Sequence, residues 1–176
     1  MKNAVKLPAL AAALMILTSA LALHAAASPP NHANRFEATF TETNASVTNR
    51  VADLGVFQLI NNGAGTVEGF GAATMVLAMS QDRSVQPCGP GSWTNAGTRR
   101  IVVDAGVLIL RTVAYLCQTA SGPVATENWT VDGPSSTGVF AGARGSGEGT
   151  VNVSTNPSTP TRSTFTGKLK LAGEDG

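Results

Sequence analysis

The sequence predicts an all-β fold: a single antiparallel β-barrel of about eight strands, with a β-sandwich as the alternative. No segment beyond the N-terminal stretch shows a sustained helical period, whereas several segments alternate between apolar and polar residues. The segments between them are short and rich in Gly, Pro, Ser and Asp, the residues that form tight turns. Charged residues make up only 13% of the chain, and 19 of its 176 residues are glycine, as expected for many short strands.

Residues 1–27 have the features of a secretory signal peptide. Lys2 and Lys6 form a basic start, residues 7–23 are almost wholly apolar, and Ala25–Ala27 offers a cleavage site of the A-x-A type. We therefore expect the mature protein to be secreted, and we expect no membrane association once the signal peptide is removed.

The chain after residue 27 has the length of one domain. Residues 28–34 are rich in Pro and Asn and are predicted to form a flexible N-terminus, so the barrel domain is assigned to residues 35–173. Loss of Lys2 and Lys6 leaves 10 of the 12 basic residues against 11 acidic residues, a formal net charge of −1. Because there is no basic excess, nucleic acid is not expected as a partner.

The strands of the first half are assigned from their alternation. The apolar residues of Phe36–Phe40 are in phase on one face of the first strand. Further strands are predicted at Val47–Val51, Val56–Ile60 and the long alternating run Thr66–Ser80. The long loop Asp82–Gly97 then carries Cys88 and Trp93, and loops of this length are often functional.

The strands of the second half are assigned in the same way, and turn formers such as Asp132–Ser135 separate them. A second long loop, Ser154–Pro160, precedes the last strand. The predicted strands are Arg99–Asp104, Val107–Cys117, Val124–Val131, Thr137–Ala143, Glu148–Val153 and the alternating run Arg162–Leu171.

The two cysteines of the chain, Cys88 and Cys117, are predicted to form a disulfide. A secreted chain meets an oxidising compartment, and no histidine or helix N-terminus lies near either cysteine in sequence to activate a thiol. The bridge would join the long loop to a strand, and we expect its role to be structural.

Several kinds of site are excluded by the residues that the chain lacks. Of two histidines, His24 lies in the signal peptide and His32 in the flexible N-terminus, so a Ser–His–Asp or Cys–His mechanism is not expected. The clustered ligands of a zinc site, the calcium-loop pattern and the nucleotide-binding glycine fingerprints are missing. We therefore expect no metal and no cofactor, and the sequence leaves open whether the protein is an enzyme.

Glu127 is the most notable candidate site residue. In Val124–Val131 it shares an otherwise apolar face with Trp129. The register of this strand against Val107–Cys117 determines where that face points, because a shift of one residue moves every side chain to the other side of a sheet.

Two registers are possible. One face of Val107–Cys117 carries Leu108, Leu110 and Leu116, and we refer to it as the leucine face. If Cys117 opposes Val124, Glu127 lies on the leucine face beside Trp129, in an apolar cavity where a carboxylate is suited to acid–base work. If Cys117 opposes Ala125, Tyr115 lies across from Glu127, and the carboxylate is hydrogen-bonded or charge-paired on the other face, with Arg111 nearby. Glu127 would then be structural.

A family resemblance comes from two glycine-rich segments. Ser136–Gly145 reads STGVFAGARG and is followed by the segment Gly145–Gly149, predicted to be a turn, and then by a closing strand. It resembles the Gly-aromatic-x-Gly-Ala-x-Gly hairpin before the last strands of allene oxide cyclase and dirigent barrels. Gly65–Ala72, GTVEGFGA, is similar to glycine-studded strands in secreted bacterial members of that group. The resemblance implies a calycin-like, eight-stranded barrel with a central apolar cavity, often assembled as a trimer, and it carries over no catalytic set.

Three functions are compatible with these observations. The first is a barrel that binds a small apolar or aromatic ligand as a carrier or dirigent-like guide, with Trp129, Tyr115, Arg111 and Trp93 as candidate ligand contacts. The second is a cofactor-independent cyclase or isomerase that uses Glu127 as acid or base. The third is a structural or interaction protein whose barrel is filled by its own side chains, which the lack of a pocket of about 300 Å³ would favour.

Overall fold

The structure, a computed structural model, describes residues 34–51, 56–156 and 158–173. It confirms the predicted all-β fold: eight long antiparallel strands close into a barrel, and one further short strand lies beside it. The predicted signal peptide and the N-terminal residues 28–33 lie outside the described residues. Within the described ranges, no helix is long and apolar enough to span a bilayer.

The barrel is an up-and-down arrangement in which neighbours in sequence pair with each other. The strands are β1 (Arg35–Val51), β2 (Val56–Val67), β3 (Gly71–Asp82), β4 (Trp93–Val103), β5 (Gly106–Thr119), β6 (Gly122–Val131), β7 (Thr137–Gly138), β8 (Arg144–Asn152) and β9 (Thr161–Lys170). β6 pairs with β8, and β9 pairs with β1, which closes the barrel. The short β7 pairs only with the start of β5, after a 3-10 turn at Gly133–Ser135.

The predicted run Thr66–Ser80 is wrong as a single strand. β2 ends at Val67 and β3 begins at Gly71, and Gly69 and Gly71 have positive φ angles in the turn between them. The odd-numbered residues point into the barrel on both sides of this turn, as at Val67 and Ala73. The hairpin therefore preserved the alternation that predicted one continuous strand.

Other predicted boundaries also differ from the structure. Val47–Val51, predicted as a separate strand, is the end of β1, and Val56–Ile60 is only the first part of β2. β4 already begins at Trp93, so the long loop comprises residues 83–92 rather than Asp82–Gly97. Thr137–Ala143 is a strand only at its first two residues, because Gly138 and Gly142 adopt positive φ and turn the chain. Gly145–Gly149, predicted to be a turn, lies inside β8.

The glycines of β8 make room for the largest side chain of the core. Trp129 is 1% exposed, and its indole Nε1 donates a hydrogen bond to the backbone oxygen of Glu148 at 3.1 Å. Gly147 of β8 and Gly167 of β9 oppose each other, and a Cβ on either would collide with the indole ring and with the facing backbone. Gly145 meets the backbone of β9 and Gly149 the ring of Phe165, so the glycine-rich sequence reflects close packing inside the sheet and not a turn.

One half of the barrel is filled by aromatic side chains. This closed end carries the turns at residues 68–70 and 104–105 and the connection at residues 132–143. Phe36 packs edge-on against Trp129 with ring centroids 5.0 Å apart, and Phe70 packs against Phe140 at 4.8 Å. Phe140 lies in the turn after β7. It is fully buried and covers the core at the closed end of the barrel.

The opposite, open end carries the loops at residues 83–92, 120–121 and 153–160. The predicted disulfide between Cys88 and Cys117 is confirmed, with a Cα–Cα distance of 5.6 Å. It ties loop 83–92 to the end of β5. The longest connection of this end that the structure describes is therefore anchored at its centre as well as at its two strands.

Candidate functional site

The open half of the barrel encloses a cavity of about 190 Å³. Its walls are largely apolar, and Leu116, Ala125 and Val151 lie next to one another on three paired strands. The remaining apolar lining includes Leu59, Leu77, Met79 and Val153. A concave, mostly apolar space with a few polar groups is the usual form of a small-molecule site.

A buried ion cluster lies in the wall of this cavity, and we refer to Glu42, Arg99 and Glu127 as the Arg99 cluster. Arg99 donates from Nε and Nη2 to the two carboxylate oxygens of Glu127, both at 2.8 Å. Its Nη1 donates to Oε1 of Glu42 at 2.9 Å. The three residues come from β4, β6 and β1, so the cluster connects three strands across the barrel interior.

Further contacts hold the cluster in place. Asn61 on β2 donates from Nδ2 to the second oxygen of Glu42 at 3.2 Å. The guanidinium of Arg99 lies over the ring of Phe165, with its Cζ 4.5 Å from the ring centroid, and Nη1 lies 3.4 Å from the sulfur of Met75. Arg99 therefore lies between a polar side facing the carboxylates and an aromatic side facing the core.

The cluster is almost completely desolvated, since the three side chains are at most 1% exposed. Burial lowers the pKa of Arg99, but the hydrogen bonds and charges of Glu127 and Glu42 outweigh burial, and the net pKa is raised above its ordinary value. Arg99 is therefore a permanent cation, and it faces two carboxylates.

Three polar atoms of the cavity lining have no hydrogen-bond partner among the described residues: Oδ1 of Asn61, Oδ1 of Asn95 and Nε1 of Trp93. Asn61 and Asn95 are 6% and 5% exposed. A buried polar atom without a partner costs about 1–3 kcal/mol. Such atoms at a cavity surface mark where a bound molecule or water would gain hydrogen bonds.

The mouth of the cavity is formed around Arg83. Its guanidinium Cζ lies 4.2 Å from the ring centroid of Phe57 and 4.8 Å from that of Trp93. Arg83 is exposed to solvent and lines the cavity together with Trp93, at the two ends of loop 83–92. The stacked side chains and the Cys88–Cys117 bridge hold this loop beside the opening.

The structure has the first of the two predicted registers. Cys117 opposes Val124, Ala114 opposes Glu127, and Glu127 points into the barrel and lines the cavity. Its surroundings differ from those expected in that register, because Arg99 on β4 adds a positive charge to the leucine face. Glu127 is charge-paired inside the barrel, an arrangement that neither register had predicted.

The candidate ligand contacts are distributed over three places. Trp93 lines the cavity, whereas Trp129 lies in the closed half among core side chains. Tyr115 is 41% exposed on the outer face. Arg111 is also outside, where Nε and Nη2 donate to one oxygen of Asp132 at 3.0 and 2.8 Å, and this contact lowers the pKa of Asp132. A ligand in the cavity would meet Trp93 and not Tyr115 or Arg111.

Sequence reasoning missed the partners of Glu127, although the signal was present. Glu42 continues the phase of the apolar residues in Phe36–Phe40, and Arg99 is in phase with Ile101 and Val103. Because each of the three charged residues is in phase with an apolar strand face, the pattern places all three side chains inside the barrel. The first predicted strand ended at Thr41 and another began at Arg99, so Glu42 and Arg99 were not compared with the faces that they belong to.

Within the described residues, no group of three or more His, Cys, Asp or Glu side chains is placed to hold a metal ion. No protein-family model, curated protein or solved structure matches this chain significantly.

Proposed function

We propose that this protein is a secreted barrel that binds one small, largely apolar or aromatic molecule in its open half, as a carrier or dirigent-like guide. The observation that carries the proposal is the cavity of about 190 Å³, in which apolar side chains make up about half of the lining residues and the Arg99 cluster and other polar side chains make up the rest. An apolar protein cavity of about 150 Å³ accepts a benzene molecule. The cavity therefore suits a ligand of about one substituted ring, and its open mouth leaves room for a longer substituent.

The third function, a barrel filled by its own side chains, accounts for the closed half of the barrel but not for the cavity in the open half. At about 190 Å³ the cavity is smaller than the pocket of about 300 Å³ whose lack favours the filled barrel, so its volume counts for that alternative and also limits the size of any ligand. Asn61 and Asn95 argue against a purely structural interior, because each leaves a buried oxygen without a partner. An interior that served only stability would favour apolar side chains at these positions.

The resemblance to allene oxide cyclase and dirigent barrels belongs to this proposal. Both that resemblance and the eight-stranded barrel are compatible with a ligand cavity, and Ser136–Gly145 forms the segment that carries Phe140 over the closed end. Membership of that group, and the trimer that it implies, are proposed on the motif alone. Secretion is supported by the Cys88–Cys117 disulfide, which is typical of oxidising compartments.

A second candidate is a cyclase or isomerase that uses Glu127 as acid or base, and the position of Glu127 in the cavity lining favours it. Both oxygens of Glu127 accept hydrogen bonds from Arg99, so a proton transfer at this carboxylate must weaken a bidentate ion pair. A carrier binds its ligand without weakening the ion pair between Arg99 and Glu127. We therefore place the carrier function first. Glu127→Gln should abolish any turnover if the enzyme function holds, and should change only affinity if the carrier function holds.

The proposal is tested by native mass spectrometry of the protein purified from its own secreting host. We expect one small molecule per chain in the wild type. Ala125→Phe places a ring inside the cavity and should abolish the bound mass, whereas Ala96→Phe adds the same atoms to the exposed face of β4 and should retain it. Equal melting temperatures by circular dichroism show that both variants are folded. A wild-type protein without bound ligand that also binds no aromatic probe would contradict the proposal.

A further inference from the structure

The Arg99 cluster carries an excess of negative charge. Glu42, Arg99 and Glu127 are the only charged side chains fully buried among the described residues. One guanidinium faces two carboxyl groups, so the formal charge of the cluster is −1. An uncompensated charge in an apolar interior is unfavourable by several kcal/mol. A compensating cation would therefore be bound favourably here.

Glu42 is the carboxylate with capacity for that cation. It accepts one hydrogen bond from Arg99 and one, at 3.2 Å, from the neutral amide of Asn61, whereas Glu127 is held by two short bonds from Arg99. An ionised carboxylate offers about four lone-pair sites, so Glu42 retains acceptor capacity. It also lines the cavity, within reach of a bound molecule.

The unpartnered amide oxygens point to the same chemistry. Nδ2 of Asn61 donates to a carboxylate, which can only accept, so the amide orientation is fixed and the free atom of Asn61 is the acceptor Oδ1. Asn95 likewise leaves Oδ1 without a partner. Both side chains are more than nine-tenths buried and both line the cavity. A ligand that satisfies these two oxygens must donate hydrogen bonds, whereas the unpartnered indole N–H of Trp93 at the mouth takes an acceptor such as water.

We infer that the ligand of this cavity is a small monocation, an ammonium group on an apolar or single-ring body; the inference rests on the proposed binding function. An ammonium carries one positive charge and up to three donors and no acceptor, which matches the excess charge and the free oxygens. The apolar body lies against Leu77, Met79 and Leu116, with the indole of Trp93 at the mouth. A ligand with a carboxylate in place of the ammonium would be repelled by the carboxylates of Glu42 and Glu127. Arg83 is the cation at the opening, and its exposure to water weakens its effect on an entering charge.

The test compares three probes that share a phenylethyl body and differ in charge: phenethylamine, phenethyl alcohol and 3-phenylpropionate. Each is titrated into the full-length mature protein at pH 7 by calorimetry, where the amine is protonated. We expect the ammonium to bind at least about tenfold more tightly than the alcohol, and the carboxylate to bind more weakly than both.

Glu42→Gln removes the excess charge while keeping the side-chain shape, and the amide of Asn61 can rotate to accept from the new amide. The preference for the ammonium over the alcohol should then fall to less than about threefold. Glu148→Gln makes the same charge change on the exposed face of β8 and should leave the preference unchanged. Asn95→Leu removes a side chain oxygen that has no protein partner, so the fold should be retained while ammonium affinity falls about three- to tenfold. Circular dichroism shows whether each variant is folded. If Glu42→Gln does not fold, the ammonium affinity of Asn95→Leu alone tests the inference.

The outcomes separate this inference from the proposed function. Equal or tighter binding of the alcohol or the carboxylate overturns the cationic ligand and leaves the binding barrel intact. An ammonium preference that persists in both Glu42→Gln and Asn95→Leu also overturns it, because the charge and the acceptors would then not be its cause. Absence of binding by all three probes overturns the inference together with the proposed function.

Discussion

Arg99→Met should be among the most destabilising single substitutions in this protein. Methionine replaces much of the aliphatic volume of the side chain but none of its donors. The substitution removes the three hydrogen bonds, of 2.8, 2.8 and 2.9 Å, that satisfy Glu127 and Glu42. Two carboxylates then remain at no more than 1% exposure without a cation. Removing one partner from a buried ion pair costs about 3–5 kcal/mol, and we expect a loss of unfolding free energy in that range.

The assay is equilibrium unfolding in urea at pH 7, followed by circular dichroism, for wild type and Arg99→Met. The matched control is the triple variant Glu42→Gln, Arg99→Met, Glu127→Gln, which removes the unpaired charges as well. It should recover at least about 2 kcal/mol of the loss, because replacing a whole buried cluster is far less costly than breaking it.

Two results would refute this reasoning. A loss below about 1 kcal/mol for Arg99→Met would mean that water reaches the carboxylates and that the cluster is not desolvated. A triple variant no more stable than Arg99→Met would mean that the cost comes from lost packing over Phe165 rather than from unpaired charge.

Three further predictions concern positions outside the cavity. Non-reduced protein should show no free thiol in an Ellman titration, and Cys88→Ser with Cys117→Ser should lower the unfolding free energy by about 2–4 kcal/mol; two titratable thiols in the folded protein would contradict the bridge. Gly147→Ala should cost about 1–3 kcal/mol in urea unfolding because its methyl group collides with the indole of Trp129, and a neutral result would show that β8 and β9 can separate there. Asp132 has a pKa lowered by Arg111, so its contribution to stability is complete above the pKa of the unfolded chain and is lost as the pH falls through the lower folded pKa. Asp132→Asn should therefore have a melting temperature that falls less steeply below about pH 4 than that of the wild type, and identical acid profiles would contradict the pair.

The strand content and the barrel could be predicted because alternation and turn residues are local signals. Segments such as Val107–Cys117 and Val124–Val131 matched β5 and β6 closely, since both of their ends are marked by Gly, Pro or Asp. Boundaries failed where a tertiary contact overrides the local signal. Gly145–Gly149 has the composition of a turn, but Gly147 accommodates Trp129 and Gly149 accommodates Phe165, each from a different strand, and one-dimensional patterns contain no information on those neighbours.

The candidate site could be predicted only one residue at a time. Glu127 was identified because it interrupts an apolar face, and the same argument extended to Glu42 and Arg99 would have placed all three inside the barrel. Their contact could not be predicted, because it depends on the stagger of β1, β4 and β6 around a closed sheet. The pairing of Glu127 with Arg99, rather than with Arg111 as one register suggested, is a consequence of that stagger.

The most direct test of a binding site in the open half uses the two tryptophans of the chain. Trp93 lines the cavity with an unpartnered indole N–H, whereas the indole N–H of Trp129 is bonded to the backbone of Glu148 in the closed half. The two indole signals in a ¹⁵N–¹H spectrum, assigned with Trp93→Phe, therefore report on the two halves separately. Addition of phenethylamine should shift the Trp93 signal and leave that of Trp129 in place. A shift confined to Trp129, or calorimetric binding with neither signal moved, would contradict a binding site in the open half of the barrel.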